Sequence, residues 1–151
     1  MSDLYDEDTA LWSAQQAGLL RRIAVGETPN QAPDWRNIAE EIDSMGRDRA
    51  RELNNRVRII IEHLMKLEAS PATEPRAGWA ETIWKQRAQI GDLLDDSPCL
   101  RPTVPAVVER QIAKARKMAT TALAGRGETP RVDLAGVTCS ADQVLGDWLP
   151  E

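Results

Sequence analysis

Seven ionisable side chains are candidates for chemistry: Asp8, Glu41, Arg49, Glu52, Arg56, His63 and Arg87. On a wheel of 100° per residue, the stretch Asp34–Leu67 carries Trp35, Ile38, Ile42, Met45, Leu53, Val57, Ile60, Leu64 and Leu67 along one side. Arg49 and Arg56 point into that apolar side, whereas Arg47, Arg51 and Arg58 point away from it. Glu41, Glu52 and His63 lie on its flank. Arg87 interrupts a second apolar row between Ile83 and Ile90, and Asp8 sits near the start of the chain's first helical stretch. A guanidinium left desolvated and unpaired is strongly unfavourable, so Arg49, Arg56 and Arg87 are each expected to meet a carboxylate or to line a wet cavity.

Two kinds of work suit such a cluster. As structure, it would be a set of interhelical salt bridges fixing register, with Asp43–Arg47 and Glu52–Arg56 as ordinary i,i+4 pairs worth a few tenths of a kcal/mol. As function, it would be an anion pocket or small-molecule site built from inward polar side chains between helices. His63 is the chain's one histidine. It is expected to be half-buried and to donate one ring N–H to a neighbour.

Other chemistries lack their residues. Residue 60, three before His63, is Ile where a di-iron bundle needs Glu, and no second histidine exists for HExxH, so no metal and no cofactor is assigned. There is no GxSxG, no Cys–His signature and no glycine-rich phosphate loop. The RDRARELNNRVR segment is basic, but two of its arginines face inward and no aromatic residue interleaves the rest, which disfavours nucleic acid.

The elements that must position these side chains are helices. The first is expected from about Asp6 or Asp8 to Ala24, ended by Gly26, with a loop following through two prolines. Asp34 is then placed to cap the long second helix, which spans roughly 50 Å at 1.5 Å per residue. That length implies either a bend at Gly46 or an overhanging end that finds a partner. Pro71 and Pro75 stop it, and a third helix follows from about Arg76 to Asp95 around Trp79, Ile83, Ile90 and Leu94. Thr103 and Pro105 open a fourth, whose face of Val104, Val108, Ile112, Ala115, Ala119 and Ala122 becomes small toward its end. Residues 125–135 read as a mobile loop, and Ser140 caps a short helix over ADQVLGDW. No period-2 alternation appears. The fold class is all-α: an antiparallel four-helix bundle with one long second helix and a short C-terminal helix, in a single domain spanning 1–151.

Composition sets the remaining bounds. A net charge of −5 and a pI near 5.0 argue against broad phosphate-backbone binding, and Phe is absent, leaving an aliphatic core studded with five tryptophans. No stretch is long and apolar enough for a membrane span, and MSDLYDED is not a signal peptide, so the expected location is cytoplasmic. Cys99 and Cys139 are expected to stay reduced.

Ordered motifs add a resemblance. Tyr5-x-x-Asp8-x-x-x-Trp12 with Gln16-Ala17, Asn37-Ile38-Ala39-Glu40-Glu41-Ile42-x-x-Met45-Gly46, His63-Leu64-Met65-Lys66, Trp79-x-x-Thr82-Ile83-x-x-Gln86-Arg87-x-x-Ile90 and Asp96-Ser97-Pro98-Cys99-Leu100 follow one another. In that order the chain resembles domain of unknown function family 29, with Thr28–Pro33 and Gly125–Val137 fitting less well. The resemblance implies a bacterial all-helical protein and brings no activity with it. Its motifs include Asp8, Glu41, His63 and Arg87. The expected function is a cytoplasmic interaction module forming a homodimer, with a possible further protein partner; the alternative is a ligand-binding or enzymatic bundle using the polar cluster.

Overall fold

The computed structural model describes residues 3–151, and among them every regular element is helical, as the sequence leads one to expect. The α-helices are α1 (Leu4–Glu7), α2 (Thr9–Ala24), α3 (Trp35–Ala69), α4 (Arg76–Asp96), α5 (Val104–Gly125) and α6 (Ala141–Leu145), with 3₁₀ turns at Pro98–Thr103 and Leu134–Gly136. The chain divides into two units, Met1–Asp48 and Arg49–Glu151, and α3 contributes residues to both.

In the N-terminal unit the expected first helix is α2, starting just after Asp8 and ending at Ala24, and the one-turn α1 before it is separate because Asp8 leaves helical geometry at φ −149°. It closes α1 and caps α2, its carboxylate accepting from the Leu11 N–H at 2.9 Å. Trp12 is the buried centre of this unit, edge-on to Tyr5 at 4.8 Å, and its indole N–H donates to Asp34 Oδ2 at 3.1 Å. Gln16 Oε1 accepts from the Asp34 N–H at 2.8 Å, so buried polar groups of α2 find partners at the start of α3. Gly26, at φ 86°, ends α2 in the left-handed conformation that favours glycine. Asp34 caps α3 as anticipated, accepting from the Asn37 N–H at 3.3 Å. Donation from the Asn37 side chain also holds the Asp34 carboxyl below its usual range. Gly46 does not interrupt α3.

The second unit holds the core. Leu53, Val57, Ile60, Ile61, Leu64 and Met65 of α3 are sealed by Ile83, Ile90 and Leu94 of α4 and by Val104, Val108, Ala115 and Ala119 of α5. Both alanines are fully buried, which agrees with the small face read from the sequence. Thr103 precedes α5 but makes no side-chain cap; its hydroxyl donates to Leu100 O at 2.6 Å. The preceding 3₁₀ turn already delivers the chain in helical geometry, so the cap is not needed.

Two C-terminal segments differ from expectation. The stretch after α5 is held, because the Arg131 N–H donates to Ala69 O at 2.7 Å and Arg116 donates to Leu134 O at 2.8 Å and Val137 O at 3.0 Å. Helix α6 has the expected Ser140 start, a full capping box with Gln143, but stops at Leu145. A Cβ on Gly146 would stand 2.6 Å from Asp142 O, so the chain turns there only because the residue is glycine.

Candidate functional site

Of the seven side chains singled out above, the structure brings three together. Glu52 Oε1 accepts from Arg56 Nε at 3.0 Å and from Nη2 at 2.8 Å, a two-pronged pair of the kind expected at i,i+4. Arg56 Nη1 reaches across to α4, donating to Gln86 Oε1 at 3.1 Å and Gln89 Oε1 at 2.5 Å. Arg49 stands 3.8 Å from the other Glu52 oxygen and is half exposed. Together with Gln89, Asp92, Leu93 and Asp96 of α4, these residues line an open cavity of about 210 Å³. Arg56 thus meets a carboxylate and borders an open cavity, whereas Arg49, expected to point into the apolar side, is half exposed.

Arg87 takes a third course. Its Nε donates to Val144 O at 2.9 Å and its Nη2 to Gln143 O at 2.8 Å and Trp148 O at 2.7 Å. The expected carboxylate partner is replaced by main-chain carbonyls, two at the C-terminal end of α6, where helix carbonyls lack intrahelical donors and carry partial negative charge, and one at Trp148 beyond it. The Trp84 ring lies 4.9 Å from the guanidinium carbon. Burial lowers the Arg87 pKa, and nearby Asp147 acts in the opposite direction. Three further arginines do the same work: Arg76 and Arg131 cap the end of α3 through Leu67 O, and Arg116 holds the Leu134–Val137 turn. Sequence reasoning missed these three, because nothing in an exposed-looking Arg announces a main-chain acceptor brought in from a distant segment.

His63 behaves as expected. Its Nδ1–H donates to Ile59 O at 2.8 Å, one turn back on α3. Burial lowers its pKa, the bond to Ile59 raises it, Lys66 lowers it and Glu62 raises it. Glu62 and Lys66 form an almost buried i,i+4 pair at 2.6 Å. Within the N-terminal unit, Asp8 is spent on its helix cap, while Glu41 accepts the Tyr5 hydroxyl at 2.5 Å and pushes that hydroxyl's pKa up. No group of three or more His, Cys, Asp or Glu among the described residues has metal-binding geometry.

A second feature emerges on the same long helix. Trp35, Ile42 and Met45, predicted for a core face, are 58%, 64% and 69% exposed. On α2 Leu11 and Ile23, and just past its end Val25, are exposed as well. Among the described hydrophobic side chains before Arg49, Trp12 alone is buried, and Pro33 is buried as well.

These features define an all-helical protein whose arginines lace main-chain ends together and whose N-terminal unit leaves an apolar stripe bare. The chain belongs to the family described as Domain of unknown function DUF29, whose profile matches residues 4–145. No curated protein and no solved structure matches the chain. No helix among the described residues is long and apolar enough to cross a membrane.

Proposed function

We propose that the chain is a cytoplasmic interaction module that acts as a homodimer, joined through the bare stripe of its N-terminal unit. The observation behind this reading is the exposure of Trp35, Ile42 and Met45 on one side of α3. Scattered apolar residues need no explanation, but large ones in a row along a helix mark an interaction surface. In a two-fold pair each residue is covered twice. Covering six such side chains recovers on the order of 10 kcal/mol, on the scale of the roughly 4 to 15 kcal/mol that association costs. Unbridged Cys99 and Cys139 suit a reducing compartment.

Light scattering tests the reading. The wild-type chain at micromolar concentration is expected at twice its 16.8 kDa mass, and a variant with Ile42→Ser and Met45→Ser at the monomer mass with its helical signal intact. A monomeric wild type would remove the proposal.

A further inference from the structure

We infer that the Arg49–Glu151 unit holds a binding site for a small organic ammonium ion with an apolar body, in the pocket between Glu68 of α3 and Trp148 beyond α6. The pocket measures about 310 Å³, at the small end for ligand sites. Leu64 and Glu68 line it from α3, residues 136–139 line it from the segment before α6, and Gln143, Trp148 and Pro150 complete it. All of these residues belong to one unit, so the pocket stands apart from the homodimer reading.

The frame of this pocket is what the arginines on main-chain acceptors hold. Arg116 donates to Val137 O at 3.0 Å, and Arg87 donates to Gln143 O at 2.8 Å and Trp148 O at 2.7 Å. Arg76 joins Leu67 O, at 2.7 Å, to Pro150 O, at 3.3 Å, so one guanidinium ties α3 to the segment beyond α6. Arg131 donates to Glu68 O at 3.2 Å. Each lining segment is therefore anchored by a charged donor. Irregular backbone fixed in this way needs no ordering when a ligand arrives, which lowers the cost of binding.

The lining itself selects the ligand. Burial first, and then the Glu68 charge, push the Cys139 thiol up to about 11, so at neutral pH Glu68 carries the one formal charge among the lining side chains. Among the described residues no hydrogen bond or ion pair engages the Glu68 carboxylate. Arg131 lines an adjoining cavity with Glu68, but its Nη2 goes to the Leu67 and Glu68 carbonyls. A half-buried carboxylate without a donor favours a cation. A metal ion would need further anionic or imidazole ligands, whereas the lining adds only a neutral thiol, so the cation is organic. Trp148 offers its π-face to an ammonium, and Leu64 and Val137 offer apolar surface to the rest of the molecule.

A charge series of one shape tests the site: phenethylammonium, phenylethanol and phenylacetate, each titrated into the full chain and followed by amide and indole N–H resonances. Phenethylammonium is expected to give saturable shifts at Glu68, residues 136–139 and the Trp148 indole, with the alcohol binding about tenfold more weakly and the carboxylate more weakly still. Glu68→Gln is expected to remove the preference for the amine. Should that variant lower the helical signal, Thr138→Lys serves instead, because a lysine at this exposed lining position supplies an internal ammonium that competes for the same carboxylate. Equal binding of amine and alcohol to wild type would overturn the cation assignment, as would an amine preference that survives both variants. Shifts confined to other residues, or no saturable response to phenethylammonium, would overturn the site itself.

Discussion

From Leu53 onward the apolar stripe of α3 is sealed: Leu53, Val57, Ile60 and Leu64 are each at most 1% exposed. Upstream, Trp35, Ile42 and Met45 occupy the same side of the same helix at 58–69% exposure. Their sequence pattern is one pattern, with the same steps of three and four. The difference lies in what is laid against it, since α4 and α5 cover the downstream half and supply every other member of the core cluster with the Leu134–Val144 segments. Periodicity names the side of a helix that seeks cover. It does not name the molecule that provides it.

The sharpest way to break this contrast is to make one substitution in both halves. Ile60→Ala removes a fully buried side chain and is expected to cost about 2–5 kcal/mol, read as a lower midpoint in urea. Ile42→Ala, at the other end of the ranking below, is its counterpart. Next in size is Arg87→Met, which keeps bulk but strips three carbonyls of their donor. A loss of about 3 kcal/mol is expected, with fast amide exchange confined at first to the segment after Cys139. Gly146→Ala drives a Cβ against Asp142 O and should cost about 1–3 kcal/mol by displacing the same carbonyls from Arg87.

Smaller is the pH effect of His63. Its folded pKa lies below the ordinary 6.5, chiefly through burial, so the unfolded chain takes up the proton first as pH falls. The contribution is complete above about pH 6.5, declines as pH drops below it, and levels off once the folded form also protonates. Thermal melts across that window should show the decline in wild type and a flatter profile in His63→Gln. Smallest is Ile42→Ala, expected within about 0.5 kcal/mol in urea at concentrations where the chain is monomeric. A cost there equal to that of Ile60→Ala would show that the upstream stripe is already covered within one chain.

Much of the fold was legible because helices announce themselves locally. Gly26, Asp34, the prolines around residues 71–75 and Ser140 punctuate the chain where caps and breakers act within a few residues. Asp8 was read as a start and is also a stop, since one carboxylate both caps α2 and ends α1. The site was legible only where partners sit on one helix or at a fixed step: Glu52 with Arg56, His63 with Ile59. Arg87 was rightly marked as a buried charge needing a partner, yet its acceptors are main-chain atoms 56 to 61 residues away, which side-chain patterns do not encode. Trp35, Ile42 and Met45 were legible as a face and not as a bare one, because exposure depends on chain ends and neighbours rather than on spacing.

The account turns on whether a second copy covers the upstream half of α3. Amide hydrogen exchange, followed residue by residue along Trp35–Ala69 at protein concentrations spanning the monomer–dimer range, tests it directly. Protection at Trp35–Asp48 is predicted to rise with concentration while protection from Leu53 to Ala69 stays constant. Protection at Trp35–Asp48 that is the same at every concentration, in a range where the mass doubles, would contradict it.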